Sequence, residues 1–190
     1  MQRYLDPSKY IDFGHPEVAS LARSLAEGTS TEHSLVQRCF EFVRDEVRHS
    51  SDFKLNPVTC KASDVLLHRT GYCYAKSHLL AALLRANGVP AGLCYQRLSL
   101  SDGGAPYCLH GLSAVYLRDI GWYRLDPRGN KPGISTEFSP PIEVLAFPQR
   151  EPHERLLPGV LSEPLATVVD VLERYTSYDQ VLQNLPDIAA

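Results

Sequence analysis

Cys73, His110 and Asp126 are the residues whose types and order fit one reaction. Cys73 follows Thr70-Gly71-Tyr72 and falls on the first turn of a helix expected over residues 73–86. Free backbone N–H groups and the positive end of the dipole stabilise a thiolate there. Gly71 permits a tight approach that leaves the sulfur at the helix tip. A thiolate attacking a carbonyl needs a base, and the base needs an orienting group. His110 lies within a predicted strand, and Asp126 ends another, just before Pro127. Pairing of those strands through a turn around Asp119 to Gly121 sets the two side chains at comparable distances from it. Each residue alone also has an ordinary reading: a small buried thiol, a hydrogen-bonded strand histidine, a turn former before proline. Their joint occurrence in this order favours a catalytic triad.

The elements that must position these residues follow from periodicity. Val18, Leu21, Ala22 and Leu25 predict a helix over 16–27, stopped by Gly28. Thr31 as N-cap and the stripe Leu35, Val36, Cys39, Phe40, Val43, Val47 predict a second over 31–49. Residues 50–59 read as a loop, and 63–67 as a short helix capped by Ser63. The segment 73–86 is apolar on most of its surface and is stopped by Asn87-Gly88-Val89-Pro90, so it is expected to be central. Three antiparallel strands are expected at 91–98, 107–117 and 122–125, with turns at Ser101-Asp102-Gly103-Gly104 and 118–121. Prolines concentrate after Asp126, so 131–164 is expected to wrap the surface with little regular structure before a last helix at 165–175. The expectation is an α+β fold in one domain spanning 1–190, with its core at about 30–130 and a helical N-terminal part.

Composition excludes other classes. Apolar residues make up 44% and charged residues 22% of the 190 residues, a globular balance and not a disordered one. A formal charge of -3 gives no cationic field for nucleic acid or an anionic membrane, so neither is expected as a partner. No apolar run approaches bilayer length and the first residues lack an apolar leader core, which makes the cytoplasm the expected location. Cys39, Cys60, Cys73, Cys94 and Cys108 are odd in number and irregularly spaced, which fits free thiols better than a disulfide framework. Cys73, Cys108 and His110 could be imagined as metal ligands, but no pair has zinc spacing, and no metal or other cofactor is expected.

The run Ala62-Ser63-Asp64-Val65-Leu66, then Gly71-Tyr72-Cys73, then the leucine–alanine block Leu79 to Ala91, resembles the signature of the transglutaminase-like superfamily. His110 and the segment Gly121-Trp122-Tyr123-Arg124-Leu125-Asp126-Pro127 resemble its strand histidine and its tryptophan-to-Asp-Pro element, and Val43-Arg44-Asp45 its upstream helix. The match covers about residues 40–128. The resemblance implies a papain-like core in which the cysteine helix packs on an antiparallel sheet, with Cys73 as nucleophile, His110 as general base and acid, and Asp126 as its orienter. Two positions depart from the pattern. Gly111-Leu112 follow the histidine where many members carry an aromatic residue, and Tyr72 and Lys76 flank the cysteine where many carry an acid.

The expected chemistry is acyl transfer on an amide or peptide bond of a protein or peptide substrate, through a Cys73 thioester and most simply ending in hydrolysis. Cross-linking of glutamine to an amine, as in a glutamyltransferase, and a non-catalytic binding module remain alternatives. One oxyanion donor is the Cys73 N–H, and no residue stands out as the second. Lys76 either holds a carboxylate or faces solvent, His78 is read as a buried structural histidine, and Cys108 as a core thiol. Tyr95, Arg97, Tyr107, Arg128 and Asn130 are candidates for the cleft rim.

Overall fold

The computed structural model describes residues 1–101, 104–150 and 154–188. Helix α1 (Pro16–Ala26) starts on a proline at its first helical position. Helix α2 (Glu32–Glu41) is capped by Thr31, whose hydroxyl accepts from the Ser34 N–H while Ser34 reaches back to the Thr31 N–H. The second helix is shorter than its periodicity predicts. It widens into a π-turn (Phe42–Glu46) and then enters strand β1 (Arg48–His49), which pairs in parallel with β2 (Thr70–Gly71). That backbone partner, 22 residues away in the chain, overrides the helical stripe.

Residues 50–59 include a short helix, α3 (Ser50–Phe53), and α4 runs from Ala62 to His68. Ser63 does not cap α4 with its own side chain. Asp12 does so from the N-terminal segment, accepting from the Ser63 N–H at 3.0 Å and from its hydroxyl at 2.5 Å.

Helix α5 spans Cys73–Ala86, as its sequence predicts, and is buried on nearly every side. It packs on the antiparallel sheet β5-β4-β3-β8, formed by β3 (Ala91–Ser99), β4 (Tyr107–Leu117), β5 (Gly121–Leu125) and the two-residue β8 (Arg155–Leu156). The turn expected at 101–104 lies partly outside the described residues. Leu93 and Tyr95 of β3 with Leu109, Val115 and Leu117 of β4 join the main core with α1, α2 and α5, while Cys94, Leu112 and Ala114 form a smaller cluster on the other face. The alternation that divides them is the strand period of two.

The proline-rich stretch is more ordered than composition suggests. It holds a hairpin, β6 (Glu137–Ser139) with β7 (Ile142–Val144), and supplies the edge strand β8. Helix α6 (Ala166–Arg174) is followed by an unanticipated α7 (Tyr178–Gln183). Arg85 ties these outer parts to the centre. Its guanidinium donates to the carbonyls of Asp6, Ala91 and Ser162 at 2.8, 3.0 and 2.7 Å.

Candidate active site

The site sits where α5 meets the edge of β4. Strand β5 pairs with β4 only from Ser113 onward, in the register Ser113↔Leu125, so β4 residues before Ser113 have no β5 partner. Gly111 on that free edge donates its N–H to Cys73 Sγ at 3.3 Å. Only a glycine fits there: a Cβ on Gly111 would lie 2.8 Å from the Tyr74 ring and 3.0 Å from its Cα. Gly111 is therefore what lets the helix tip touch the strand. Gly71 plays a related part, since a Cβ there would press on Thr59 Oγ1 at 3.1 Å and Ala75 Cβ at 3.2 Å. Its role is close approach, with no positive φ required.

Tyr72, the N-cap of α5, offers no side-chain acceptor to the first turn, and the first intrahelical bond is Lys76 N–H to the Tyr72 carbonyl. The Cys73 N–H is thus left without a partner inside its helix. Register continued from Ser113↔Leu125 sets Asp126 opposite Leu112, so His110 is its diagonal neighbour on the same face. His110 Nε2 donates to Asp126 Oδ2 at 2.8 Å, and both side chains are buried. Asp126 also accepts from the Ala146 N–H at 3.0 Å through Oδ2 and from the Arg128 N–H at 3.2 Å through Oδ1.

The charges follow. Burial alone pulls the His110 imidazole down, but the negative charges of Asp126 and Cys73 outweigh it and push its pKa up to about 10. Burial likewise raises the Asp126 carboxyl, yet the His110 charge and hydrogen bond with the two backbone donors hold it below the usual carboxylate range. Burial pushes the thiols of Cys39, Cys60 and Cys108 up to about 12 and that of Cys94 to about 11.

Cys73 and His110 open onto a cavity of about 320 Å³ that is also lined by His49, Tyr72, Cys108, Arg128 and Phe147. Phe147 packs edge-on against the His110 ring, centroids 4.9 Å apart, and its carbonyl accepts from Gln96 Nε2 at 3.1 Å. Of the rim candidates, Arg128 lines this cavity and Asn130 a neighbouring one, whereas Tyr95 is buried in the core. Arg97 instead grips Asp187 and lies over the Tyr107 ring.

Lys76 neither holds a carboxylate nor faces solvent. It is fully buried and its ammonium donates to the carbonyls of Arg44 and Val47, with its pKa lowered to about 7 by burial and then by Arg128. His78 is structural, its Nδ1–H donating to the Cys60 carbonyl at 2.7 Å. Cys108 is a buried thiol, as expected, but it also borders the cavity.

Sequence reasoning missed His49. It stands in register with Gly71, two residues before Cys73, and its ring meets Tyr72 edge-on at 5.4 Å. Its Nδ1 lies 3.1 Å from the Ser51 hydroxyl and 3.7 Å from Asp52, which Arg128 and Lys131 hold. Burial first, then Arg128, keeps the His49 pKa well below the ordinary imidazole value. The only signal was a histidine at a helix end, which the amphipathic stripe absorbed.

This arrangement, a helix-tip cysteine on an antiparallel sheet that carries a histidine–aspartate pair, defines a class. The chain belongs to the transglutaminase-like superfamily, whose family model matches residues 19–127. Among solved structures, a candidate cysteine protease from Cytophaga hutchinsonii matches with a TM-score of 0.53 and 22% identity over 66% of this chain and 40% of its own. The periplasmic domain of TgpA from Pseudomonas aeruginosa gives 0.49 and 22% over 66% of this chain and 46% of its own. The chain thus spans less than half the length of either, and at this identity the likeness is one of fold. No curated protein matches it in sequence. Among the described residues, no helix is long and apolar enough to cross a membrane.

Proposed function

We propose that the protein is a cysteine hydrolase of amide or peptide bonds. Cys73 Sγ attacks the carbonyl carbon, the carbonyl oxygen gathers negative charge beside the Cys73 N–H, and His110 delivers its proton to the departing amine. The product of this step is a thioester on Cys73. Water, activated by His110 now acting as base, then releases the acid and restores the thiolate–imidazolium pair. Asp126 holds the proton on Nε2 throughout, which leaves Nδ1 for the exchange with sulfur and amine.

The observation that carries this reading is the 2.8 Å bond between His110 and a fully buried Asp126, on an imidazole whose other neighbour is Cys73. Hydrolysis is the simpler ending because water, the acceptor always present in solvent, reaches the thioester through the open cavity without any site for an amine.

The test is amine release from a peptide-amide library by the wild type and Cys73→Ala, with and without an added fluorescent alkylamine. Cys73-dependent release unaffected by the alkylamine supports hydrolysis. Incorporation of the alkylamine into the acyl product at the expense of the free acid replaces it with transamidation.

A further inference from the structure

The C-terminal segment from Tyr178 to Asp187 lies outside the span of the family match, yet it is fastened to the two residues that precede Cys73 and His110. At one end the Tyr72 hydroxyl donates to the Tyr178 carbonyl at 2.5 Å, and the Tyr178 N–H donates to Asn56 Oδ1 at 2.8 Å. At the other, the Leu109 N–H donates to the Pro186 carbonyl at 2.7 Å, and Arg97 binds Asp187 through two bonds of 2.7 Å. Leu109 and Gly111 are alternate donors on the free edge of β4, so this strap and the nucleophile take adjacent places on it. Val181 is fully buried and roots α7 in the core.

Between these anchors, Leu182 and Leu185 line the cavity that holds Cys73 and His110, together with Leu98, Leu100 and Leu109. Leu182 is 49% exposed and Leu100 54%, two large apolar side chains left partly in water at the rim of the same cleft. Such exposure is unfavourable by roughly 25 cal/mol per Å² until something apolar covers it. The cavity, about 320 Å³, is at the small end of ligand pockets, the size for a side chain and not for a folded partner. Polar residues line it as well, among them His49, Ser51, Arg128, Arg150 and Glu154.

We propose that the strap Tyr178–Asp187 builds the specificity pocket of the enzyme, and that it takes an aliphatic side chain on the acyl half of the substrate. This rests on the reading of Cys73 as nucleophile. The acyl half is the part that stays bonded to sulfur after the amine has left, so a pocket fastened beside Cys73 grips it through both half-reactions.

The test measures second-order alkylation of Cys73 by mass spectrometry, using aminoacyl chloromethyl ketones that carry a Leu, Asp or Lys side chain. Iodoacetamide serves as a probe without a side chain. In the wild type the Leu probe reacts at least about tenfold faster than the Asp or Lys probe, the size of effect expected for a few methylenes in an apolar pocket. Leu182→Ser and Leu185→Ser each slow the Leu probe by about tenfold and leave iodoacetamide within about twofold. Leu182→Lys turns the preference towards the Asp probe. Equal rates for all three side chains in the wild type overturn the proposal, as does a leucine variant that slows iodoacetamide as much as the Leu probe, since the strap would then only support the fold. If iodoacetamide itself fails to modify Cys73 in the folded wild type, the nucleophile reading falls and the pocket with it.

Discussion

The helix–strand centre and the C-terminal third of this molecule are held together by different means. In the centre, α5 is buried along nearly its whole length, and its polar residues each find a backbone carbonyl: Lys76 those of Arg44 and Val47, Ser77 that of Cys73 at 2.8 Å, His78 that of Cys60, Arg85 those of Asp6, Ala91 and Ser162. A buried donor must be satisfied, and carbonyls serve without adding charge. The C-terminal third sends Val168, Val169, Leu172 and Val181 into the main core and is otherwise tied down by separate hydrogen bonds, among them Arg85 to Ser162, Leu109 to Pro186 and Arg97 to Asp187. Under the proposed function the difference teaches that the reacting groups stand on elements that cannot shift without breaking the core, while the proposed pocket wall around Leu182 and Leu185 is rooted by Val181 and tied at its ends by bonds from Tyr72, Leu109 and Arg97.

The sharpest way to break the comparison is at Asp126. Replacing the carboxylate by an amide turns an NH₂ towards one of three N–H donors, from His110, Ala146 and Arg128. Asp126→Asn is expected to lower single-turnover acylation by about two to four orders of magnitude, as in other triads, while costing about 1–3 kcal/mol of stability. Stopped-flow acylation and thermal melts on the same variant check both.

Gly111→Ala comes next. Its Cβ would meet the Tyr74 ring at 2.8 Å, so helix and strand must part, and an overpacked core position costs roughly 1–3 kcal/mol. Because the same N–H contacts Cys73 Sγ, acylation is expected to fall by more than the stability loss accounts for. A variant that melts lower and acylates at the wild-type rate removes Gly111 from the chemistry.

Arg85→Leu strikes the link between the two regions. Three carbonyls lose their donor, and a loss of about 3 kcal/mol is expected in urea unfolding, a large share of a typical domain's stability. Cys73 reactivity in the folded fraction should be unchanged.

The smallest effect concerns pH. Lys76, lowered to about 7 against about 10.4 unfolded, gives up its proton in the fold before it does in the unfolded chain, so it makes stability rise with pH from about 7 upward. Lys76→Met should remove that rise between about pH 7 and 8.5, below the range where the buried thiols enter, read from melts in steps of pH. Parallel profiles in the two proteins would contradict the assignment.

Much of the centre was legible because its signals are local. The apolar block Leu79 to Leu84 runs up to the stop at Asn87-Gly88, and α5 follows it to Ala86; the β-formers of 107–117 predict β4. The cysteine, histidine and aspartate could be placed near one another because a helix tip and two strands joined by a short turn leave few other arrangements. Partnerships between distant backbones were not legible. The stripe through Val43 and Val47 reads as helix, yet Arg48 and His49 leave it to pair with Thr70 and Gly71. Lys76 looks like a surface residue until the π-turn supplies it with carbonyls. Helix α7 has six residues, of which only Val181 is buried, so no period announces it, and its position depends on Tyr72 and Leu109.

The central claim is that Cys73 differs from the other four thiols because His110 and the helix tip hold it as a nucleophile. Timed iodoacetamide labelling of the folded protein at neutral pH, with all five cysteines quantified by peptide mass spectrometry, measures that difference in one experiment. The account predicts that Cys73 is modified first while Cys39, Cys60, Cys94 and Cys108 stay unlabelled, and that His110→Ala slows Cys73 by at least about tenfold. Labelling of Cys73 no faster than the buried four, or unchanged without His110, would contradict it.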